Sequence, residues 1–215
     1  MMDNFATGTR HEVERVEPIA WLSVIGNALF VAVAVALPFA QRPGYRISRD
    51  AVSILALGKY GWIQTIAFCG LGVGTVALAV VIRATCDAAG RTPALLAIAG
   101  ALNFVAAGVH TVRVGQAQTA ASIVHNVCGV ITFVATVAVM FMLSSSFRRD
   151  ASWSAMARPT RFWAIGGIVA LILTGPLAKH FGIAERLLLG VLVSWMLVCG
   201  VRALSLSGTL APRTP

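Results

Sequence analysis

An all-α, polytopic membrane protein, built as a six-transmembrane-helix bundle with a short interfacial helix in the first loop, is the fold class this sequence predicts. Three observations lead there. Between Ile19 and Leu204 the chain breaks into six apolar runs, each about long enough to cross a bilayer and uncharged through its centre. A span takes roughly 20 apolar residues, because the hydrocarbon core is about 30 Å thick and a helix rises about 1.5 Å per residue. With a mean hydropathy of +0.82, 58% hydrophobic and only 12% charged residues, the 215-residue chain is too apolar for a soluble domain of its length. Its 17 basic residues fall between the runs or near their ends. The formal charge of +9 therefore points to membrane lipids with anionic headgroups and not to nucleic acid.

The elements follow in order. Residues 1–17 read as a mobile polar N-terminal arm, 18–207 as the six-helix transmembrane domain and 208–215 as a C-terminal tail. The first run, 19–40, is too long for the core of a cleaved export signal, and Glu12, Glu14 and Glu17 spoil the basic segment such a signal needs. It is expected to be a permanent helix. The other spans are expected at 62–82, 93–112, 120–143, 162–178 and 187–204. Six spans put both termini on one side. That side holds ten of the basic residues, among them Arg83, Arg91, Arg148, Arg149, Arg158 and Arg161, against seven opposite. The positive-inside rule then predicts a multi-pass protein of the plasma (bacterial inner) membrane with cytoplasmic termini.

Helices in lipid gain nothing from hiding apolar surface, so small residues that let backbones approach must hold them together. Gly70 and Gly74 form a GxxxG step in the second run, and Ala97, Gly100, Ala101 and Gly108 recur in the third. Through Gly70 and Gly74 the chain is expected to meet another helix, either its own or that of a homo-oligomer or membrane partner. The stretch Gly70-Leu71-Gly72-Val73-Gly74 superficially resembles a phosphate loop but has no preceding strand. Gly175-Pro176 should end or kink the fifth helix. Cys69, Cys128 and Cys199 lie in apolar runs and Cys86 in a short loop, which reads as four free thiols.

The polar groups gather on one side. In the loop from Gln41 to Gly61, a short helix capped by Ser48 would set Arg46, Arg49, Asp50 and Ser53 at i, i+3, i+4 and i+7, one polar stripe backed by Ile47, Ala51, Ile54 and Leu55. It is either an ordinary amphipathic connector or a lid whose arginines hold a lipid phosphate. Asn103, His110 and Arg113 are expected to share a face of the third helix, and Ser122, His125, Asn126 and Gly129 one of the fourth. With only a short link between those helices, both histidines belong near the same membrane surface. His180, Glu185 and Arg186, between the fifth and sixth helices, lie on that side too. An ionisable side chain at membrane depth needs a partner and marks a candidate site. Neither HExxH nor CxxC nor an i, i+4 histidine pair occurs, so neither metal nor cofactor is expected.

The order of elements resembles the six-helix bacterial membrane family catalogued as domain of unknown function 998. That family carries an Ile-Ser-Asp-Leu-Gly-like stretch ahead of its second helix, to which Val52-Ser53-Ile54-Leu55 followed by Gly58 is similar. His125-Asn126 is similar to a His-Asn pair at the start of its fourth helix. Ile54 stands where the family has an acid, which leaves Asp50 as the carboxylate of this loop. The resemblance implies a six-helix integral membrane protein and no particular reaction.

Three functions fit these residues. The first is binding or handling of a lipid or other amphipathic molecule at an extracytoplasmic rim, with Arg46, Arg49, Ser53, Arg113, Asn126 and His180 as ligand-binding residues. It predicts an apolar groove opening from that rim. The second is an intramembrane enzyme acting on a lipid or isoprenoid, with His125, His110 and Asp50 as catalytic candidates. The third is an accessory subunit of a membrane complex.

Overall fold

The computed structural model describes residues 3–41, 44–113 and 115–210, with side chains described from 16 to 207. Six α-helices carry the fold: α1, Asp3–Ala40; α2, Gly61–Thr85; α3, Thr92–Gly108; α4, Ala120–Arg148; α5, Ser154–Leu173; and α6, Phe181–Leu210. Each packs on its neighbours in sequence, α6 closes the ring against α1, and α6 also reaches α2 across the interior. Five helical stretches are long and apolar enough to span a membrane, and Thr92–Gly108 is a shorter apolar helix. Outward-facing Ile25, Val35, Phe39, Ile98, Val130 and Ile172 are each more than half exposed. Such a continuous apolar exterior is stable against acyl chains and not against water. The protein is a multi-pass membrane protein.

Several boundaries differ from the sequence reading. Helix α1 starts at Asp3, so the segment ahead of the first apolar run continues its helix. The last residues of the expected C-terminal tail, 211–215, lie outside the described residues, whereas α6 continues to Leu210. Helix α3 ends at Gly108 instead of Val112, which leaves His110 and Arg113 beyond it and removes the shared face with Asn103. Helix α5 ends at Leu173, ahead of Gly175-Pro176, and α6 begins at Phe181, six residues early. It therefore brings Glu185 and Arg186 into a helix that was read as starting after them.

Small residues set the helix spacing. A Cβ on Gly26 of α1 would lie 2.9 Å from the Gly74 nitrogen, and one on Gly74 would lie 2.7 Å from Asn27 Nδ2. The GxxxG step thus seats α2 against α1. On its other side, Gly72 and Gly100 let α2 and α3 touch, each within 3.1 Å of the other's carbonyl oxygen by the same measure. Polar pairs add to the seams: Trp195 Nε1 donates to Thr160 Oγ1 at 3.2 Å, and Trp163 Nε1 to Ser194 Oγ at 3.0 Å, both between α5 and α6. At the end formed by the α2–α3 and α4–α5 loops, Trp153 stacks on Phe147 with centroids 4.7 Å apart and donates to Thr85.

Candidate functional site

The opposite end, formed by the α1–α2, α3–α4 and α5–α6 connections, holds the polar cluster. Its first loop does not form the amphipathic helix expected after Ser48. Residues 47–49 make a turn in which Arg46 O accepts from Asp50 N at 2.8 Å, and a short 3-10 helix, Val52–Leu57, follows. Asp50 Oδ2 accepts from Arg46 N at 2.7 Å, so this carboxylate closes its own turn. Ser53 is buried while Arg46 is exposed, and the polar stripe is therefore not formed.

Helix α6 clamps this loop. Arg186 Nη1 donates to Ile47 O at 3.0 Å, Asp50 O at 3.2 Å and Gly182 O at 2.8 Å, and Nη2 donates to Tyr45 Oη. The Tyr45 hydroxyl in turn donates towards the Asp50 and Ala51 oxygens, at 3.0 and 2.9 Å. Burial pushes the Tyr45 phenol above its ordinary pKa, against the opposing pull of Arg186. One residue before Arg186, Glu185 Oε2 accepts from Val52 N at 2.6 Å. Gly182 makes the approach feasible, because a Cβ there would sit 2.6 Å from the Asp50 oxygen.

Beneath the clamped loop lies a cavity of about 460 Å³ between the α3–α4 hairpin, α2 and α6. Its deeper walls are mainly apolar, with Phe68, Leu71, Phe133, Leu192, Val193 and Met196 among them, broken by Asn103, Thr132 and Thr136. Towards the loops the lining turns polar, with Ser53, Arg113, Gln118, His125, Asn126 and Glu185. Helix α4 presents its part because Thr119 and Ser122 cap its first turn reciprocally: Ser122 N donates to Thr119 Oγ1 at 3.1 Å and Thr119 N to Ser122 Oγ at 2.9 Å.

His125, 9% exposed, stands in the second turn of α4. Its Nδ1 lies 2.9 Å from Ala106 O and 3.2 Å from Val109 O, and its ring meets Phe68 edge-on at 6.3 Å. Two carbonyls at one nitrogen fix Nδ1 as the protonated one. Since α3 ends at Gly108, Ala106 O lies in its last turn and Val109 O at its C-cap, where carbonyls have no partner within the helix. His125 therefore caps α3 from the neighbouring helix and leaves Nε2 for the cavity that its ring lines.

Of the residues singled out from sequence, Ser53, Arg113, Asn126 and His125 are brought to this cavity. Arg113 is tied at its mouth, Nη1 donating to Gly44 O at 3.1 Å, and Asn126 Nδ2 approaches Gln118 Oε1 at 3.4 Å. Arg46, Arg49, Asp50, His110 and His180 do not line it, and His110 and His180 are exposed on connecting segments. Asn103, Gly129 and Glu185, also named from sequence, line it as well, whereas Tyr45 and Gln118 had not been singled out. Glu185 and Arg186 had been placed on this rim, but not as the pair that holds the first loop.

Fold and site together define a helical, multi-pass membrane protein with a polar-ended apolar cavity among its helices. The chain belongs to the family described as protein of unknown function (DUF998), whose model matches residues 24–202. No curated protein and no solved structure matches it.

Proposed function

We propose that the protein binds an amphipathic molecule, a membrane lipid by class, in the cavity beneath the first loop. The observation that supports this is the gradient along the cavity: apolar walls at membrane depth, and Arg113, Gln118, Asn126 and the His125 ring where it meets the loops. An amphiphile has that same order of surfaces, and about 460 Å³ is within the usual range of ligand cavities. Arg113 offers charge to an anionic headgroup, and Nε2 of His125 offers an acceptor or, once protonated, a second donor. The excess of basic residues on the terminal side supports cytoplasmic termini in the plasma membrane and an extracytoplasmic position for this rim.

Gly129 supplies the test. It lines the cavity, and a Cβ on it would meet no atom within 4 Å. Gly129→Leu should fill the cavity without disturbing the helices. Native mass spectrometry of detergent-purified protein should show a bound lipid that Gly129→Leu loses while its melting temperature stays unchanged. Equal lipid occupancy in both proteins would sink the proposal.

Chemistry on the bound molecule is a second reading, favoured by one observation: His125 and Glu185 line the same cavity. His125 would act as base through Nε2, and Glu185 would assist it in the place first given to Asp50. Conversion of a lipid extract by the wild-type protein, lost in Glu185→Gln while binding persists, is its signature.

A further inference from the structure

At the other end of the molecule a second cavity, of about 310 Å³, lies between the end of α4 and the start of α5. Ser144 and Arg148, four apart, face it from α4. Arg158, Arg161, Phe162 and Ile165 face it from α5, at the i, i+3, i+4 and i+7 positions of one stripe. Three arginines thus line one opening, and all three are exposed. Among the described residues no carboxylate lines that opening, and the nearby Asp150 spends Oδ1 on the backbone N–H groups of Ser152 and Trp153, at 2.9 and 3.2 Å. Like charges around one opening repel one another, and an anion between them relieves that repulsion.

We propose that this cavity is a second binding site, for a phosphate headgroup carrying more than one negative charge, and that the headgroup belongs to a membrane lipid. Guanidinium forks match phosphate oxygens two at a time, so three of them suit a diphosphate-bearing headgroup better than a single zwitterionic one. Basic pockets between transmembrane helices have this specificity in general. The lipid source follows from the rest of the lining. Phe162 is 73% exposed and Ile165 46%, and both flank the arginines towards the middle of α5. That places an apolar strip where the acyl chains of a bound lipid would run, with the arginines at headgroup height. The site shares no lining residue with the cavity beneath the first loop and does not depend on the function proposed for it.

The test uses full-length, delipidated protein in nanodiscs of phosphatidylcholine alone or with 10% (roughly one lipid in ten) cardiolipin, a diphosphate lipid. Cardiolipin should be retained on native mass spectrometry, and phosphatidylcholine should not compete. Each Arg→Gln change at 148, 158 or 161 should weaken retention about fivefold, and the triple variant on the order of a hundredfold. The triple Arg→Lys variant should hold cardiolipin at an intermediate level, which separates loss of the site from loss of the fold. Lys179→Gln, exposed at the opposite end and lining neither cavity, should leave retention unchanged. Cardiolipin retention by the triple Gln variant equal to wild type would overturn the site. Inorganic pyrophosphate displacing cardiolipin at similar concentrations would overturn the lipid as its source.

Discussion

Glu185 on α6 accepts the backbone N–H of Val52 at 2.6 Å, across 133 residues of sequence. The bond fixes the short helix that lines one end of the cavity, and its neighbour Arg186 fixes the turn just before it.

Removing that carboxylate should release the loop. Glu185→Ala leaves the Val52 N–H buried without an acceptor, at a cost of about 1–3 kcal/mol, whereas Glu185→Gln keeps an acceptor and should lose less. A Ser53→Cys reporter, buried in the intact fold, should become labelled by maleimide in Glu185→Ala and stay protected in Glu185→Gln.

Gly182→Val should act on the same loop by sterics, since even a Cβ would press on the Asp50 oxygen. Overpacking of this kind costs about 1–3 kcal/mol. Maleimide access to Ser53→Cys should rise while α2 to α5 retain their protection from hydrogen exchange.

Gly26→Val should separate α1 from α2, because a Cβ there already approaches the Gly74 nitrogen to 2.9 Å. The melting temperature in detergent should fall by several degrees. Gly190→Ala is the control: its Cβ meets nothing within 4 Å, and the melt should not move.

His125→Phe keeps a ring against Phe68 but takes the donor from Ala106 and Val109. Two carbonyls at the end of α3 then lack their partner, and about 1–3 kcal/mol of stability should be lost. Slower-exchanging amides near residues 106–109 should become fast while those in α5 stay unchanged.

Burial first, and the charge of Asp150 second, push the Cys86 thiol up from 9.0 to about 12. A raised pKa means that the fold favours the neutral thiol. The associated stability is complete below pH 9 and is lost as pH rises towards about 12. With Cys69, Cys128 and Cys199 changed to Ala, Cys86 should react slowly with iodoacetamide at pH 9 and quickly once denatured in dodecyl sulfate. Equal rates would show the thiol to be open.

Much of the architecture was legible because lipid imposes simple rules. A helix must satisfy its own backbone groups and clothe them in apolar side chains, and both requirements are written in consecutive residues. The ends were less legible. His110 lies in an apolar stretch that reads as helix, yet α3 stops at Gly108, where a histidine from the next helix supplies the missing donor. The turn at Asp50 reads equally well as the start of a helix, since a carboxylate there can cap a turn or join a stripe.

By itself, then, the sequence determined the solvent, the six helices, their order and the side on which polar groups gather. Hydropathy and the positions of small residues are local properties, and these features depend on little else. Only the tertiary structure decided which polar groups meet. Glu185 joins Val52, His125 joins Ala106, and Arg148 shares a cavity with Arg158 and Arg161 because separate helices and loops lie side by side. Such pairings depend on helix rotation and on where each helix stops. Those are set by packing across the whole ring, which no single segment encodes.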